Sequence, residues 1–240
     1  ILEYDKFSEI FLNFKDKIIL EIGFGDGKNL INSAKQNPDT FYIGADPFLN
    51  TTVKCIKKIL ENNLNNIKIW PDDIRKIIEF FPSKSQRRCT KKNSDLGGKF
   101  IEPHATSEQY LLFCKYQNAR HNDGDMASMS YFDFKILVED TPVNTFLVEF
   151  RTPDKELIAA CLIDKLKDGL SAVYSFFDPK LERRGLGNYI ILWLIMKAQE
   201  MNMSFVYIGF WIKNCTKMSY KDQFKPFEYK TLRGWQRIHR

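Results

Sequence analysis

The chain has 240 residues, 44% hydrophobic and 28% charged, a balance that fits a folded protein of one or two domains and excludes disordered, collagen-like and disulfide-stapled classes. Its longest apolar run, Tyr189 to Met196, is far shorter than the roughly 20 residues of a bilayer-spanning helix. No basic-then-apolar leader opens the sequence, so a cytoplasmic protein without membrane attachment is expected.

Five cysteines (Cys55, Cys89, Cys114, Cys161 and Cys215) stand singly with no C-x-x-C pair, against a disulfide framework or a zinc cage, and no metal site is predicted. The first residue is Ile1, which points to a fragment or a trimmed product. The net charge of +6 is unevenly spread: residues 1–82 carry 11 Lys and Arg against 12 Asp and Glu, net −1, and residues 83–240 carry 25 against 18, net +7. Within the second part, 83–99 holds 6 against 1 and 213–240 holds 8 against 2, leaving 11 against 15 between them. Two basic flanks around a mildly acidic middle suit a polyanion such as tRNA; simple solvation of the two ends is the alternative.

In chain order, the first 82 residues read as strand Lys17–Ile22, helix Lys28–Gln36, strand Phe41–Ala45, a helix from about Thr51 to Asn62, strand Ile67–Trp70 and helix Ile74–Phe81. Such alternation predicts a parallel sheet with crossover helices. Pro82 to about Lys99 is polar, basic and glycine-containing, and reads as a domain boundary with a basic linker over 83–99 that opens the following segment. Thr106-Ser107-Glu108-Gln109 has the S/T-x-x-E/Q form that opens a helix, here Ser107 to about Arg120, and Tyr131–Val138 reads as a second helix. Three antiparallel strands are expected next, Thr145–Arg151, Leu157–Ile163 and Leu170–Phe177, with turns at Pro153-Asp154-Lys155 and Asp168-Gly169. A long helix from near Gly187 to about Met201 and a strand Ser204–Trp211 close the pattern.

The predicted fold class is therefore α/β: a truncated, Rossmann-like, three-stranded parallel half-domain over 1–82, then an α+β domain over 100–240. The order β-β-β-α-β, with a glycine turn before the long helix, is that of the acetyltransferase (GNAT-like) superfamily.

Two glycine turns carry the candidate chemistry. Glu21-Ile22-Gly23-Phe24-Gly25-Asp26-Gly27 follows the first strand and opens the first helix, where glycines let backbone approach a ligand and the helix start offers free N–H groups. Asp46 ends the second strand, where a carboxylate can accept both hydroxyls of a ribose; Asp72 and Asp73 follow the third, where they can accept from an adenine amine. Gly23, Gly25, Asp46, Asp72 and Asp73 thus outline a nucleotide-like site, with a plain tight turn as the alternative. The second turn is Glu182-Arg183-Arg184-Gly185-Leu186-Gly187. Acetyltransferases have a Q/R-x-x-G-x-G/A loop at this position, whose N–H groups hold the pyrophosphate of coenzyme A; Glu182 at the first position argues against that cofactor. Arg183 and Arg184, with the Gly185 and Gly187 backbone, can hold another phosphate, such as the 3′ end of a tRNA.

Residues Leu20 to Gly27, then Asn37-Pro38-Asp39, then Phe41-Tyr42-Ile43-Gly44 resemble the start of the tRNA (guanine-N7)-methyltransferases. The resemblance covers roughly 5–82 and implies S-adenosylmethionine binding, with Gly23, Gly25 and Asp46 at the methionine and ribose end and Asp72 or Asp73 near the adenine. That family's later D-P-W-type motif is absent from this chain, so only the cofactor half is expected, and its first strand would have an uncovered edge.

A second resemblance covers about 83–240. Ser85-Gln86-Arg87-Arg88, Ala105 to Tyr110, Ala119-Arg120-His121-Asn122-Asp123-Gly124, Val173 to Pro179, Tyr207 to Trp211 and Lys217-Met218-Ser219-Tyr220-Lys221 resemble the bacterial aminoacyl-tRNA–protein transferases of the N-end rule. The nearest group is the aspartate/glutamate leucyltransferases, relatives of the arginyltransferases. The resemblance implies transfer of a leucyl or arginyl group from charged tRNA to a protein beginning with Asp or Glu, marking it for degradation, with no cofactor required. In that family a region bearing a C-x-x-C cluster precedes the Ser-Gln-Arg-Arg segment; methyltransferase-like sequence stands there in this chain.

For the chemistry, Tyr174 and Ser175 are the candidates beside the glycine turn, with Asp178 as an orienting or proton-accepting group and Tyr207 as a hydroxyl donor. His121 is a candidate base because imidazole titrates near neutrality; a helix cap is the plainer reading. Arg87, Arg88, Arg183, Arg184, Lys217, Tyr220 and Lys221 are candidates for tRNA phosphate or the acidic substrate residue. A methyltransferase, or an inactive fusion that keeps tRNA binding, are the competing readings.

Overall fold

A computed structural model describes residues 18–72, 82–122, 124–216 and 218–238. The predicted helix Ile74–Phe81 lies outside the described residues, as do Lys17, Asp73, Asp123 and Lys217. The chain forms two compact units, Pro82–Phe224 and the remainder.

The first unit opens with β1 (Ile18–Ile22), α1 (Lys28–Gln36), β2 (Phe41–Ala45), α2 (Leu49–Glu61) and β3 (Ile67–Trp70). The sheet is parallel, ordered β1-β2-β3, in register Ile18↔Phe41 and Tyr42↔Ile67. All five residues of the central strand β2 are buried, which is why it reads as an unbroken apolar run without alternation. Leu30, Ile31 and Ala34 of α1 and Cys55 and Ile59 of α2 pack on it, placing both helices' apolar stripes against one small core. Asn66 ties the α1–β2 turn down, its Nδ2 donating to the carbonyls of Ala34, Asn37 and Thr40 at 3.0–3.2 Å.

In the second unit, the stretch read as a basic linker is structured: α3 (Lys84–Lys92) leads into β4 (Gly97–Ile101). Ser83 Oγ accepts from Gln86 N at 3.3 Å and Gln86 Oε1 accepts from Ser83 N at 2.7 Å, so α3 begins with a capping box. With no residue of α3 buried, its sequence lacks the apolar period that marks a helix. Then come α4 (Ser107–Arg120), α5 (Tyr131–Glu139), β5 (Thr145–Arg151), β6 (Leu157–Lys165), β7 (Gly169–Phe177), α6 (Leu186–Glu200) and β8 (Phe205–Tyr207). The Thr106–Gln109 capping box that locates α4 in the sequence is present, with bonds of 3.3 and 2.9 Å.

The sheet is ordered β4-β5-β6-β7-β8, antiparallel except for the β7–β8 pair that α6 connects. This is the acetyltransferase-like order expected, extended by β4. On one face α6 lays Leu186, Ile190, Trp193 and Leu194 on Phe150, Ile158, Ile163 and Leu170. On the other, Phe113 of α4 and Phe134 and Val138 of α5 cover Leu147, Ala160, Leu162 and Phe176. Phe113, Phe134 and Phe150 are fully buried, each worth about 1.5–3 kcal/mol of transfer free energy. The last strand is shorter than its apolar run, ending at Tyr207 instead of Trp211, and Gly209 at φ +74° turns the chain away. A hairpin, β9 (Glu228–Thr231) with β10 (Gly234–Arg237), follows in chain order and belongs to the first unit; it has no counterpart among the predicted elements.

Candidate active site

The site is set by a defect in the pairing of β7. Its register against β6 shifts from Leu162↔Tyr174 to Ile163↔Ala172, leaving Val173 as a bulge. A bulge bends its strand and re-aims the neighbouring side chains. Beside β7, β8 pairs only with Gly169–Ser171, so beyond Ser171 the strand has no ladder partner on that edge among the described residues. Past the bulge, Tyr174 and Phe176 share the α4 face, while alternation turns Ser175 to the opposite face with Phe177.

Tyr174 is held from α4. Its ring centroid lies 6.1 Å from that of Phe113, and Gln117 Nε2 donates to its Oη at 2.7 Å. Burial pushes the Tyr174 phenol up, so its hydroxyl stays protonated through the neutral range. The other amide atom, Gln117 Oε1, is buried and meets no hydrogen-bond partner among the described residues. Next on α4, Tyr116 packs its ring 4.8 Å from Phe177 and 5.7 Å from His121, and burial raises its phenol as well. Tyr220 comes from the short turn Ser219–Gln223; burial first, then the nearby Tyr116, raises its phenol. Arg120 stacks 5.6 Å over the Phe177 ring and pairs with Glu182 at 3.3 Å. Tyr116, Gln117 and Tyr174 thus gather at the open end of β7, with Tyr220 in the neighbourhood of Tyr116.

The remaining residues proposed from the sequence are distributed differently. Ser175 does not share a face with Tyr174, because adjacent strand residues point to opposite sides. Asp178 Oδ1 accepts from Lys180 N at 2.9 Å and caps the turn Pro179–Arg184, which occupies it as a turn residue. Tyr207 stands level with Ser171, on the far side of the bulge, and donates to Asp168 Oδ2 at 2.9 Å. His121 caps the C-terminus of α4, exposed. Lys221 Nζ donates to Phe210 O at 2.7 Å, and burial holds its pKa below the usual lysine value.

The glycine turn is braced by α3. Asn93, fully buried, donates to Arg184 O at 2.8 Å and accepts from Arg184 Nε at 2.9 Å; Arg184 also pairs with Asp95. Lys92 Nζ donates to Arg183 O at 2.7 Å, and the Cys89 thiol donates to Gly185 O at 3.5 Å. Arg184, expected to face phosphate, is spent on this bracing, whereas the side chain of Arg183 is exposed. Gly185 (φ +66°) caps α6 without a side-chain bond, and Gly187 lies in the first turn. Lys84, Arg87, Arg88 and Lys91, spaced i, i+3, i+4 and i+7, are exposed along one side of α3.

In the first unit, Gly23, Gly25 and Gly27 take φ +71°, +54° and +75°, and a Cβ on Gly23 or Gly25 would meet open space. Asp46, 4% exposed, accepts from Gly25 N at 3.2 Å through Oδ2 and from Phe48 N at 2.9 Å through Oδ1. The carboxylate expected to face a ribose is buried beneath the loop and secures it. Asp72 is half-buried after β3 and Asp73 lies outside the described residues. Among the described residues, no three His, Cys, Asp or Glu side chains come together to hold a metal ion, and no helix is long and apolar enough to cross a membrane.

A five-stranded mixed sheet whose one parallel pair is joined by the long helix behind a glycine turn defines an acyltransferase-type core. Residues 108–231 match the family model described as arginine-tRNA-protein transferase, C terminus, and residues 15–90 match a methyltransferase family model. The aspartate/glutamate leucyltransferase of Gluconacetobacter diazotrophicus is 44% identical over 164 residues, 68% of this chain and 63% of that protein. The protein of the same name from Paramagnetospirillum magneticum is 46% identical over 160 residues (67% and 66%), and that from Azorhizobium caulinodans 46% over 183 (72% and 71%). Among solved structures, the ribosomal-protein-S18-alanine N-acetyltransferase of Escherichia coli is similar at TM-score 0.41 and 14% identity, over 58% of this chain and 86% of that one. The chain belongs to the arginine-tRNA-protein transferase C-terminal family. It spans 63% and 66% of the length of the first two of these relatives.

Gln117 is the site residue that sequence reasoning missed. Its signal was present: Gln109, Phe113 and Gln117 fall at i, i+4 and i+8 on the buried stripe of α4, and a polar residue on such a stripe needs a reason to be there.

Proposed function

We propose that this chain transfers an aminoacyl group from charged tRNA to the α-amine of a protein beginning with Asp or Glu, a reading supported by the relatives' name, aspartate/glutamate leucyltransferase, and by the family description, arginine-tRNA-protein transferase. The observation that carries the reading is the Tyr174 hydroxyl, held by Gln117 at the open end of β7 inside the segment that matches the family.

The ester of an aminoacyl-tRNA is already activated, so placement and charge stabilisation supply most of the catalysis. The neutral α-amine of the acceptor attacks the ester carbonyl carbon and forms the new C–N bond. The carbonyl oxygen becomes an oxyanion, to which Tyr174 donates its hydroxyl proton in a hydrogen bond. As the intermediate collapses, the C–O bond to the tRNA ribose breaks and the ammonium proton passes to the departing ribose oxygen. His121, exposed beside Tyr116, is the candidate to relay that proton. The basic side of α3, with Arg87 and Arg88, and the exposed Arg183 suit the tRNA phosphates. The half-buried ammonium of Lys221 keeps donors beyond the one given to Phe210 O, which suits the acidic side chain of the acceptor.

Incubation with a peptide beginning in Asp or Glu and with Leu-tRNA or Arg-tRNA, followed by mass spectrometry, tests the reading. A gain of one leucyl or arginyl residue supports it and identifies the donor; an unchanged peptide from folded protein refutes it.

A second reading concerns the first unit. The left-handed glycines with open space above them, together with the methyltransferase family match, support binding of S-adenosylmethionine. The residues fit that cofactor only in part, because both Asp46 oxygens accept from loop N–H groups, and no methyl-transfer step is derived. Equilibrium dialysis with radiolabelled S-adenosylmethionine checks binding.

A further inference from the structure

Gln117 is 1% exposed, yet half of its amide is unspent. Nε2 donates to Tyr174 Oη, and a phenol oxygen that accepts this bond keeps its own hydrogen to give elsewhere. No described residue accepts that hydrogen, and no described residue donates to Gln117 Oε1. This arrangement leaves a free donor, the Tyr174 hydroxyl, and a free acceptor, Gln117 Oε1, side by side. A buried polar atom without a partner costs the desolvation of that atom, and a fold keeps such atoms where a ligand completes them.

The ligand must therefore present an acceptor and a donor in close succession. An aminoacyl ester does so: its carbonyl oxygen and α-amine sit on adjacent carbons. We infer that Gln117 and Tyr174 together form the subsite for the aminoacyl end of the donor, with Tyr174 Oη–H donating to the ester carbonyl oxygen and Gln117 Oε1 accepting from the donor's α-amine. This rests on the transfer reading and gives Gln117 two duties, orienting the Tyr174 proton and checking that the amine is free. The ring of Phe113 backs Tyr174 and leaves the phenol little freedom to swing away.

The test uses 3′-deoxy-3′-aminoacylamino-adenosine probes, leucyl and arginyl, in which an amide replaces the ester, together with their N-acetyl forms. Each is titrated by calorimetry into the full chain. The wild type is expected to bind a free-amine probe at least tenfold more tightly than its acetylated form. Gln117→Leu should bind the two equally, since it removes the Oε1 acceptor; it also removes the Nε2 bond to Tyr174, so its fold is checked by Tm. Tyr174→Phe should weaken both while keeping the preference. Gln117→Glu, which retains an acceptor, should keep the preference and stands in should the leucine variant not fold. A tenfold preference that survives in Gln117→Leu, its loss in Gln117→Glu, or a wild type that binds neither form, overturns the inference. Leucyl or arginyl transfer by the wild type is scored separately. Transfer with a preference that Gln117→Leu leaves intact sinks the subsite and spares the reading. A preference removed by Gln117→Leu without any transfer does the reverse.

Discussion

Each unit contains a glycine turn that leads into a helix and rests on a cysteine, yet the two turns are held by different means. In the first unit a Cβ on Gly27 would lie 2.3 Å from Cys55 Sγ; in the second a Cβ on Gly185 would lie 3.6 Å from Cys89 Sγ. Both glycines sit at positive φ, +75° and +66°, and cap their helices without a side-chain bond. The first loop is secured from below by the buried Asp46, and the space above Gly23 and Gly25 is open. The second is braced through its carbonyls by Cys89, Lys92 and Asn93. A glycine pattern therefore specifies a backbone path, while the neighbours decide which atoms remain for a ligand. In the second unit the proposed ligand contacts fall instead on Tyr174 and Gln117.

The largest expected effect separates the two turns by packing. Gly27→Val meets both a forbidden φ and the Cys55 sulfur, and should destabilise the first unit by about 3–5 kcal/mol, read as lost hydrogen-exchange protection in α1. Adding Cys55→Ala should recover the packing part and leave the backbone part. Asn93→Ala removes the brace of the second turn, leaves buried partners unpaired, and should cost about 2–3 kcal/mol with exchange rising in α3. Gly185→Ala, where the sulfur is at ordinary contact distance, should cost only about 1–2 kcal/mol.

Cys55 beneath the first turn adds a test through pH. Burial pushes the Cys55 thiol up to about 11, so the folded state holds its proton more tightly than the unfolded chain does. This contribution is complete below the ordinary thiol pKa and is lost as pH rises from about 9 to 11, of order 1–2 kcal/mol in all. Denaturation of wild type and Cys55→Ala across that window should show the wild type losing more, and parallel curves would remove the effect.

The sequence made the same units legible to different degrees. The parallel strands of the first unit are short apolar runs, and β2 and β3 fall where expected. By contrast α3 was hidden, because five of its nine residues are Lys or Arg and none is buried, although Ser83 and Gln86 carry the same capping signal that located α4. Gly97 and Gly98 disguised β4, a strand that exists through its pairing with β5. At the site, Tyr174 was legible as an aromatic beside the glycine turn. Its partner Gln117 shows in the sequence only as a polar residue on a buried stripe; that it meets Tyr174, 57 residues away, depends on how α4 lies across the sheet.

The most direct measurement compares leucyl or arginyl transfer, from charged tRNA to an Asp- or Glu-initiated peptide, by wild type, Tyr174→Phe and Asp46→Asn. If the transfer centre is at the open end of β7, Tyr174→Phe should lower kcat by roughly 10²-fold, as loss of one oxyanion donor does, while Asp46→Asn leaves it unchanged. Wild-type rates in Tyr174→Phe, with a fall confined to Asp46→Asn, would contradict the account.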